Sequence, residues 1–85
     1  MHLKWLVARN KVLLNTVYRI CVDGTTMDVM FRGFIDVEIV RATKYGVVDA
    51  GDGSAALHRE ADILIDTKAI SWISLHDMSA FPMRD

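Results

Sequence analysis

Apolar residues recur along this chain with two different periods, and the change of period separates one helix from a series of strands. Near the N-terminus, Leu3, Leu6 and Val7 have the i, i+3, i+4 spacing of an amphipathic helix. This spacing predicts a short helix over about residues 2–10, and Asn10 is a plausible C-terminal stop. From Val12 onward the apolar residues follow a strand-like pattern rich in β-branched side chains.

The first strands are predicted to form a hairpin. Residues 17–22 form an apolar run, and Asp23-Gly24 follows it directly. Asp-Gly between two such runs indicates a type I′ turn, because that turn requires a positive φ at both central residues. Residues 25–31 then return as the second strand. The β pattern continues through Val40, so we expect one long strand that is bent at Gly33.

Turn-forming residues divide the second half of the chain. The pattern predicts a turn at residues 42–46, a short strand at Val47-Val48 and a loop at 49–54, followed by a helical turn or further loop at 55–61. A buried strand is predicted at 63–65, a tight connection at 66–68 and a final strand at 69–75. Residues 76–85 are predicted to be a C-terminal tail.

These elements predict a mainly β fold, with a short N-terminal helix followed by five strongly bent antiparallel strands. The strands are antiparallel because no crossover helix separates them. Five short strands avoid open edges by closing on themselves, and a small SH3-like barrel is the economical solution. We therefore predict a single small-barrel domain over residues 1–75 and a tail over 76–85.

The composition of the chain predicts that this domain also binds a partner. Hydrophobic residues make up 52% of the 85-residue chain and charged residues 25%, which excludes intrinsic disorder. The formal net charge of −1 excludes a protein that coats nucleic acid by bulk charge. So small a domain has too little interior for this many apolar residues, and apolar surface indicates a partner, most simply another copy of the chain. No apolar run approaches the roughly 20 residues that span a bilayer, so no membrane is expected.

Cysteine use and the first residues of the chain bear on location. The single cysteine, Cys21, excludes an internal disulfide and is expected to be a small buried apolar residue. The start of the chain lacks the long apolar stretch of a secretory signal. Together these features predict a cytoplasmic protein.

No motif predicts catalysis or a metal site. The three histidines, His2, His58 and His76, are too far apart for metal-ligand spacing. The segment from Asp49 to Glu60 contains acidic residues and glycines, but their order does not fit a calcium loop. The chain has no nucleophile elbow and no phosphate-cradling glycine loop. We therefore expect no enzyme activity, no cofactor and no metal.

The pair Lys44-Tyr45, predicted to lie in a turn, is the strongest candidate for chemistry. A turn tyrosine can stack on a nucleobase while the neighbouring ammonium meets a phosphate. The alternative is that Tyr45 packs as ordinary structure. Lys68, in the second tight turn, joins such a site only if the fold brings the two turns together.

The order of elements resembles the Sm-like family, which includes bacterial Hfq and the archaeal and eukaryotic LSm proteins. The resemblance covers about residues 3–75: a helix, a strand ending in Val22-Asp23-Gly24, a bent strand with Gly33, a short strand at residues 47–50, a variable loop and two apolar strands. Lys68-Ala69-Ile70-Ser71 is similar to the Lys-His-Ala-Ile-Ser stretch of Hfq. The resemblance implies an Sm-like barrel that assembles into a ring and binds RNA.

The resemblance also implies roles for particular residues. Those expected to bind single-stranded RNA, at turns that face the ring pore, are Lys44, Tyr45, Thr67 and Lys68. In the ring, the fourth strand of one subunit would pair with the fifth strand of the next. The residues expected at this interface are Ile63, Ile65, Ile70 and Trp72. Six or seven copies would complete the ring.

Two other functions stay open beside the RNA-binding ring. The chain is equally compatible with a homo-oligomeric small-barrel scaffold or protein-interaction module that binds no RNA. A small enzyme or ligand-binding barrel would need a concave pocket with converging titratable groups, and no sequence feature announces one.

Overall fold

A computed structural model describes residues 2–49, 51, 53–74 and the backbone of 83–84, and contains one short helix followed by strands of a single sheet. The elements are α1 (Leu3–Ala8), β1 (Val17–Val22), β2 (Thr25–Phe34), β3 (Ile39–Asp49), β4 (Ala55–Asp66), a 3-10 turn (Thr67–Ala69), β5 (Ile70–Ile73) and β6 (Met83–Arg84). The sheet order is β5-β1-β2-β3-β4-β6. Strands β1 to β5 pair antiparallel, whereas β6 pairs parallel to β4.

The mainly β fold with a short N-terminal helix and five antiparallel strands is therefore confirmed. The predicted hairpin is also present, because Asp23 has φ 49° and Gly24 has φ 81° between paired strands β1 and β2. The helix ends near the predicted stop. Asn10 has φ 58°, and the amide of Lys11 donates to the carbonyl of Leu6 over 2.9 Å, as in a Schellman cap.

The predicted long strand through Gly33 is interrupted. Strand β2 ends at Phe34, and residues 35–38 form a turn before β3 begins at Ile39. The Asp36 carboxylate accepts the amides of Glu38 (2.8 Å) and Ile39 (3.1 Å). This side chain satisfies backbone donors locally and favours the turn over a continuous strand. Gly33 lies instead at an irregularity in the pairing of β2 with β3.

The predicted turn at residues 42–46 was wrong, because these residues lie inside β3. Ala42 pairs with Phe31 on one side and with Ile63 on the other. Pairing on both sides satisfies the backbone better than a turn would, and overrides the turn preference of Lys44 and Gly46. A bulge between Lys44 and Tyr45, in the pairing with β4, absorbs the irregular pattern.

The segment at residues 55–61, predicted as a helical turn or loop, is strand. It extends β4 back to Ala55, where it pairs with the far end of β3. The final strand, β5, begins one residue later than predicted, because the 3-10 turn includes Ala69, and it ends at Ile73. Most of the predicted tail lies outside the described residues, although Met83 and Arg84 pair with β4 as β6.

The core lies between the curved sheet and α1. Its main cluster of buried residues comprises Leu3, Val12, Tyr18, Ile20, Val29, Phe31, Val40, Ala42, Ile65 and Ile70. A second, smaller cluster joins Val17, Tyr45 and Leu57 near the other end of the sheet. Cys21 is buried with a free thiol, as expected.

Candidate functional site

The sheet has open edges at both ends in the part of the chain that the structure describes. Among the strands that the structure describes, β5 pairs only with β1. At the other end, β6 covers β4 only at Leu57 and His58, so the outer side of residues 59–66 faces no described strand. An unpaired edge presents backbone N–H and C=O groups that can hydrogen-bond to another strand.

The residues predicted at an oligomer interface lie on these two edge strands but differ in exposure. Trp72 on β5 is 44% exposed. Ile63 on β4 is half-buried, whereas Ile65 and Ile70 belong to the subunit's own core. Leu64, which the sequence analysis did not select, is 63% exposed on β4. The side chains available to a neighbouring copy are therefore chiefly those of Leu64 and Trp72.

Tyr45 does not lie in a turn. It is in the middle of β3, only 4% exposed, in the small cluster with Val17 and Leu57. A base could stack on its ring only after this packing had opened. Tyr45 is thus a packed structural residue, which was the alternative in the sequence analysis.

The other residues predicted to bind RNA are distributed over two places. The Lys44 ammonium lies 3.5 Å from a carboxylate oxygen of Glu60, and the Lys68 ammonium lies 3.1 Å from one of Glu38. The hydrogen bond that Lys68 donates to Glu38 raises the pKa of Lys68 above its ordinary value. Thr67 is buried beside Lys68, next to the start of β3. Lys44 lies five residues farther along β3, roughly 16 Å away at about 3.3 Å per residue.

A cavity of about 460 Å³ opens on the outer surface of β2, β3 and β4, and we call it the arginine cavity. Its lining residues are Arg32, Arg41, Ala42, Thr43, Arg59, Asp62, Ile63 and Leu64. Strand register places Thr43 opposite Asp62 and Arg41 opposite Leu64, so alternate residues of β3 and β4 share this face. The sequence analysis missed this cluster.

A chain of hydrogen bonds runs through the arginine cavity. The Arg32 Nε donates to the Thr43 hydroxyl oxygen over 3.0 Å, and that hydroxyl donates to Asp62 over 2.9 Å. On the far side, Arg59 donates to the other Asp62 oxygen over 2.6 Å. Arg32 also donates to the side-chain oxygen of Asn15 over 3.3 Å. Each link holds the next one in place.

Asp62 is the group whose protonation this network controls. The hydrogen bond from Thr43 lowers the pKa of Asp62, and the bond from Arg59 lowers it further, so the carboxylate is ionised at neutral pH. Because the pKa of Asp62 is lower in the folded chain than in the unfolded chain, its ionised carboxylate stabilises the fold at pH values above the unfolded-state pKa. That contribution is lost as the pH falls through the folded pKa.

We expect Thr43→Val to raise the pKa of Asp62 toward its ordinary value, because the variant removes the donor that lowers this pKa most. Thr43→Ser keeps a hydroxyl and is expected to keep the low pKa. Titration of the Asp62 carboxyl carbon by NMR measures both. The same Asp62 pKa in the Val and Ser variants would contradict the assigned hydrogen bond.

Other kinds of site are not seen in the described part of the chain. No group of three or more His, Cys, Asp or Glu side chains is placed to hold a metal ion among the residues described. No helix within the described ranges has the length and apolar character needed to cross a bilayer.

The arginines of the cavity are visible in the sequence, but the strand pairing that brings them together is not. Arg32 and Arg41 are polar positions of the predicted long strand, and Arg59 lies in the segment predicted as a helical turn or loop. Separations of nine and eighteen residues do not show that the three meet. Only the pairing of β2, β3 and β4 brings them to one cavity. Comparison with protein-family models, curated proteins and solved structures finds no match to this chain, and its resemblance to the Sm-like family stays a prediction.

Proposed function

We propose that this chain is a homo-oligomeric small-barrel module whose copies join by pairing the β4 edge of one subunit with the β5 edge of the next. The observation that carries the proposal is that one sheet ends in two different open edges, over the residues described. Open edges of soluble proteins are normally blocked or paired, and neither β5 nor residues 59–66 of β4 contains a proline.

The geometry of the two edges favours a closed assembly. Because β4 and β5 are different surfaces, their contact is head-to-tail. A row of subunits joined in this way has a free β4 edge at one end and a free β5 edge at the other. Such a chain of subunits closes into a ring when the rotation between subunits permits it. Pairing would also cover Leu64 and Trp72, which accounts for part of the exposed apolar surface.

RNA binding by Lys44, Tyr45, Thr67 and Lys68 is a separate prediction from the resemblance, and the assembly proposal does not depend on it. Tyr45 is buried, and a glutamate engages each of the two lysines. These contacts favour the oligomeric module over the RNA-binding ring.

The native mass tests the assembly directly. We expect size-exclusion chromatography with light scattering, at two protein concentrations, to give the same multiple of the 9.6 kDa chain mass at both. A ring keeps its mass on dilution because every edge is paired. A monomer at both concentrations would overturn the proposal.

A charged residue at the β5 edge should dissociate the assembly. Trp72→Lys introduces a lysine of the kind that natural edge strands use to block pairing, and we expect a lower native mass with an unchanged circular dichroism spectrum. The matched control is Leu13→Lys, in the segment between α1 and β1 that belongs to no strand, where the exposed fraction is similar at 48%. An unchanged mass for Trp72→Lys, or an equal loss in both variants, would rule out β5 as the contact.

A further inference from the structure

We propose that the arginine cavity binds a small phosphomonoester, with the phosphate between Arg32 and Arg41. The cavity is formed by one subunit and lies on the face of the sheet. Side chains stand perpendicular to a sheet, whereas edge pairing uses backbone groups in its plane. Arg32 and Arg41 lie on the inner strands β2 and β3, so the edge pairing proposed above does not use them, although it would cover the neighbouring Leu64 on β4.

The charge of the lining matches a dianion. Three arginines and one aspartate give the cavity wall a net charge of +2. Asp62 is ionised, since Thr43 and Arg59 lower its pKa. A phosphomonoester carries about −1.5 to −2 charges at pH 7, whereas a carboxylate, a sulfonate or a phosphodiester carries a single negative charge.

Two of the three guanidinium groups remain available to such a ligand. Arg59 is paired with Asp62. Arg32 bonds only to neutral oxygen atoms, those of Thr43 and Asn15, over the described residues. Arg41 is exposed, and its side chain forms no hydrogen bond or ion pair with any residue that the structure describes. Guanidinium groups suit phosphate because their planar forks can donate two parallel hydrogen bonds.

Arg32 is held in place before any ligand arrives. Thr43 is 1% exposed, and its hydroxyl proton is directed to Asp62, so its oxygen accepts from Arg32. Asn15 holds the other end of the guanidinium from a left-handed backbone position, φ 63°. A fixed guanidinium loses less side-chain entropy when a ligand binds, which favours affinity.

The remaining lining indicates what the phosphate is attached to. The volume of about 460 Å³ lies within the usual range of small-molecule sites and exceeds the needs of a lone phosphate. Leu64, which is 63% exposed and pairs with Arg41, supplies an apolar side chain beside the arginines. A phosphate ester with a compact apolar or planar body fits both parts of the cavity.

The test uses phenyl phosphate as the probe and follows backbone amide shifts by NMR. We expect saturable shifts in β3 and β4 around the cavity. Benzenesulfonate has the same ring and a tetrahedral oxyanion but one negative charge, and should bind at least severalfold more weakly. Equal affinity for both probes, or no saturable shift with phenyl phosphate, would overturn the proposal. A short oligouridine that binds here while phenyl phosphate does not would also overturn it, in favour of a nucleic-acid backbone.

Matched arginine variants locate the binding. Arg41→Gln removes a charge that no described contact uses, so the fold should be unaffected while affinity for phenyl phosphate falls at least about tenfold. Arg9→Gln makes the same charge change outside the cavity, where the guanidinium lies 4.4 Å from the ring centre of Trp5. It should leave affinity unchanged. Equal losses in the two variants would mean attraction by net charge only and would refute the site.

Discussion

Replacing Tyr45 by alanine is expected to lower the free energy of unfolding by about 3–5 kcal/mol, the range for deleting a large aromatic side chain from a core. The ring is 4% exposed and joins Val17 and Leu57 in the small cluster of the sheet. Domains of this size have a total stability of about 5–15 kcal/mol, so the loss is a large part of the whole. Urea unfolding followed by circular dichroism measures it.

Tyr45→Phe is the matched control, because it keeps the ring and removes only the hydroxyl. Among the described residues, every buried side-chain polar atom has a hydrogen-bond partner, so the Tyr45 hydroxyl is not buried without one. The phenylalanine variant should stay within about 1 kcal/mol of the wild type. If both variants lose the same stability, the ring is not part of the core. A tyrosine that served only to stack a base would lose RNA affinity on truncation and keep its stability.

Leu3→Ala is expected to cost about 2–5 kcal/mol, the range for deleting a buried leucine side chain. Helix α1 has six residues and no side-chain hydrogen bond at its N-cap, and isolated helices this short are unstable in water. Leu3 is 1% exposed and belongs to the main cluster with Val12 and Phe31. Its packing therefore both anchors the helix and closes the core beneath it.

Trp5→Ala provides the comparison for Leu3→Ala, since Trp5 is on the same helix but 53% exposed. We expect this larger truncation to cost less than the leucine variant. Urea unfolding gives the free-energy difference, and helical circular dichroism reports whether α1 remains formed. A Leu3→Ala loss no greater than that of Trp5→Ala would show that α1 contributes little to the core.

Local patterns were most informative where a short segment specifies its own conformation. The hairpin at Asp23-Gly24 was predictable because positive φ at two consecutive residues selects these residue types. The helix stop at Asn10 was predictable for the same kind of reason. The turn at Asp36 was missed, although an aspartate that accepts amides two and three residues ahead is a local signal too.

The candidate sites depended on contacts that local patterns do not contain. Lys44 and Tyr45 were predicted in a turn, because the residues around them have turn preferences and no pairing partner was known. Their pairing with β4 buried Tyr45 and engaged Lys44 with Glu60. The arginine cavity was missed for the complementary reason, since Arg32 and Arg41 belonged to one predicted strand and Arg59 to a segment predicted as a helical turn or loop.

The sequence by itself determined the mainly β class, the N-terminal helix, the first hairpin and the high content of apolar residues. These follow from residue preferences and periodicity over a few positions. Only the tertiary structure decided the course of β3, the burial of Tyr45, the open edges of β4 and β5 and the meeting of three arginines. Those features depend on strand order and register, which pair residues far apart in the chain and which a single residue's preference cannot specify.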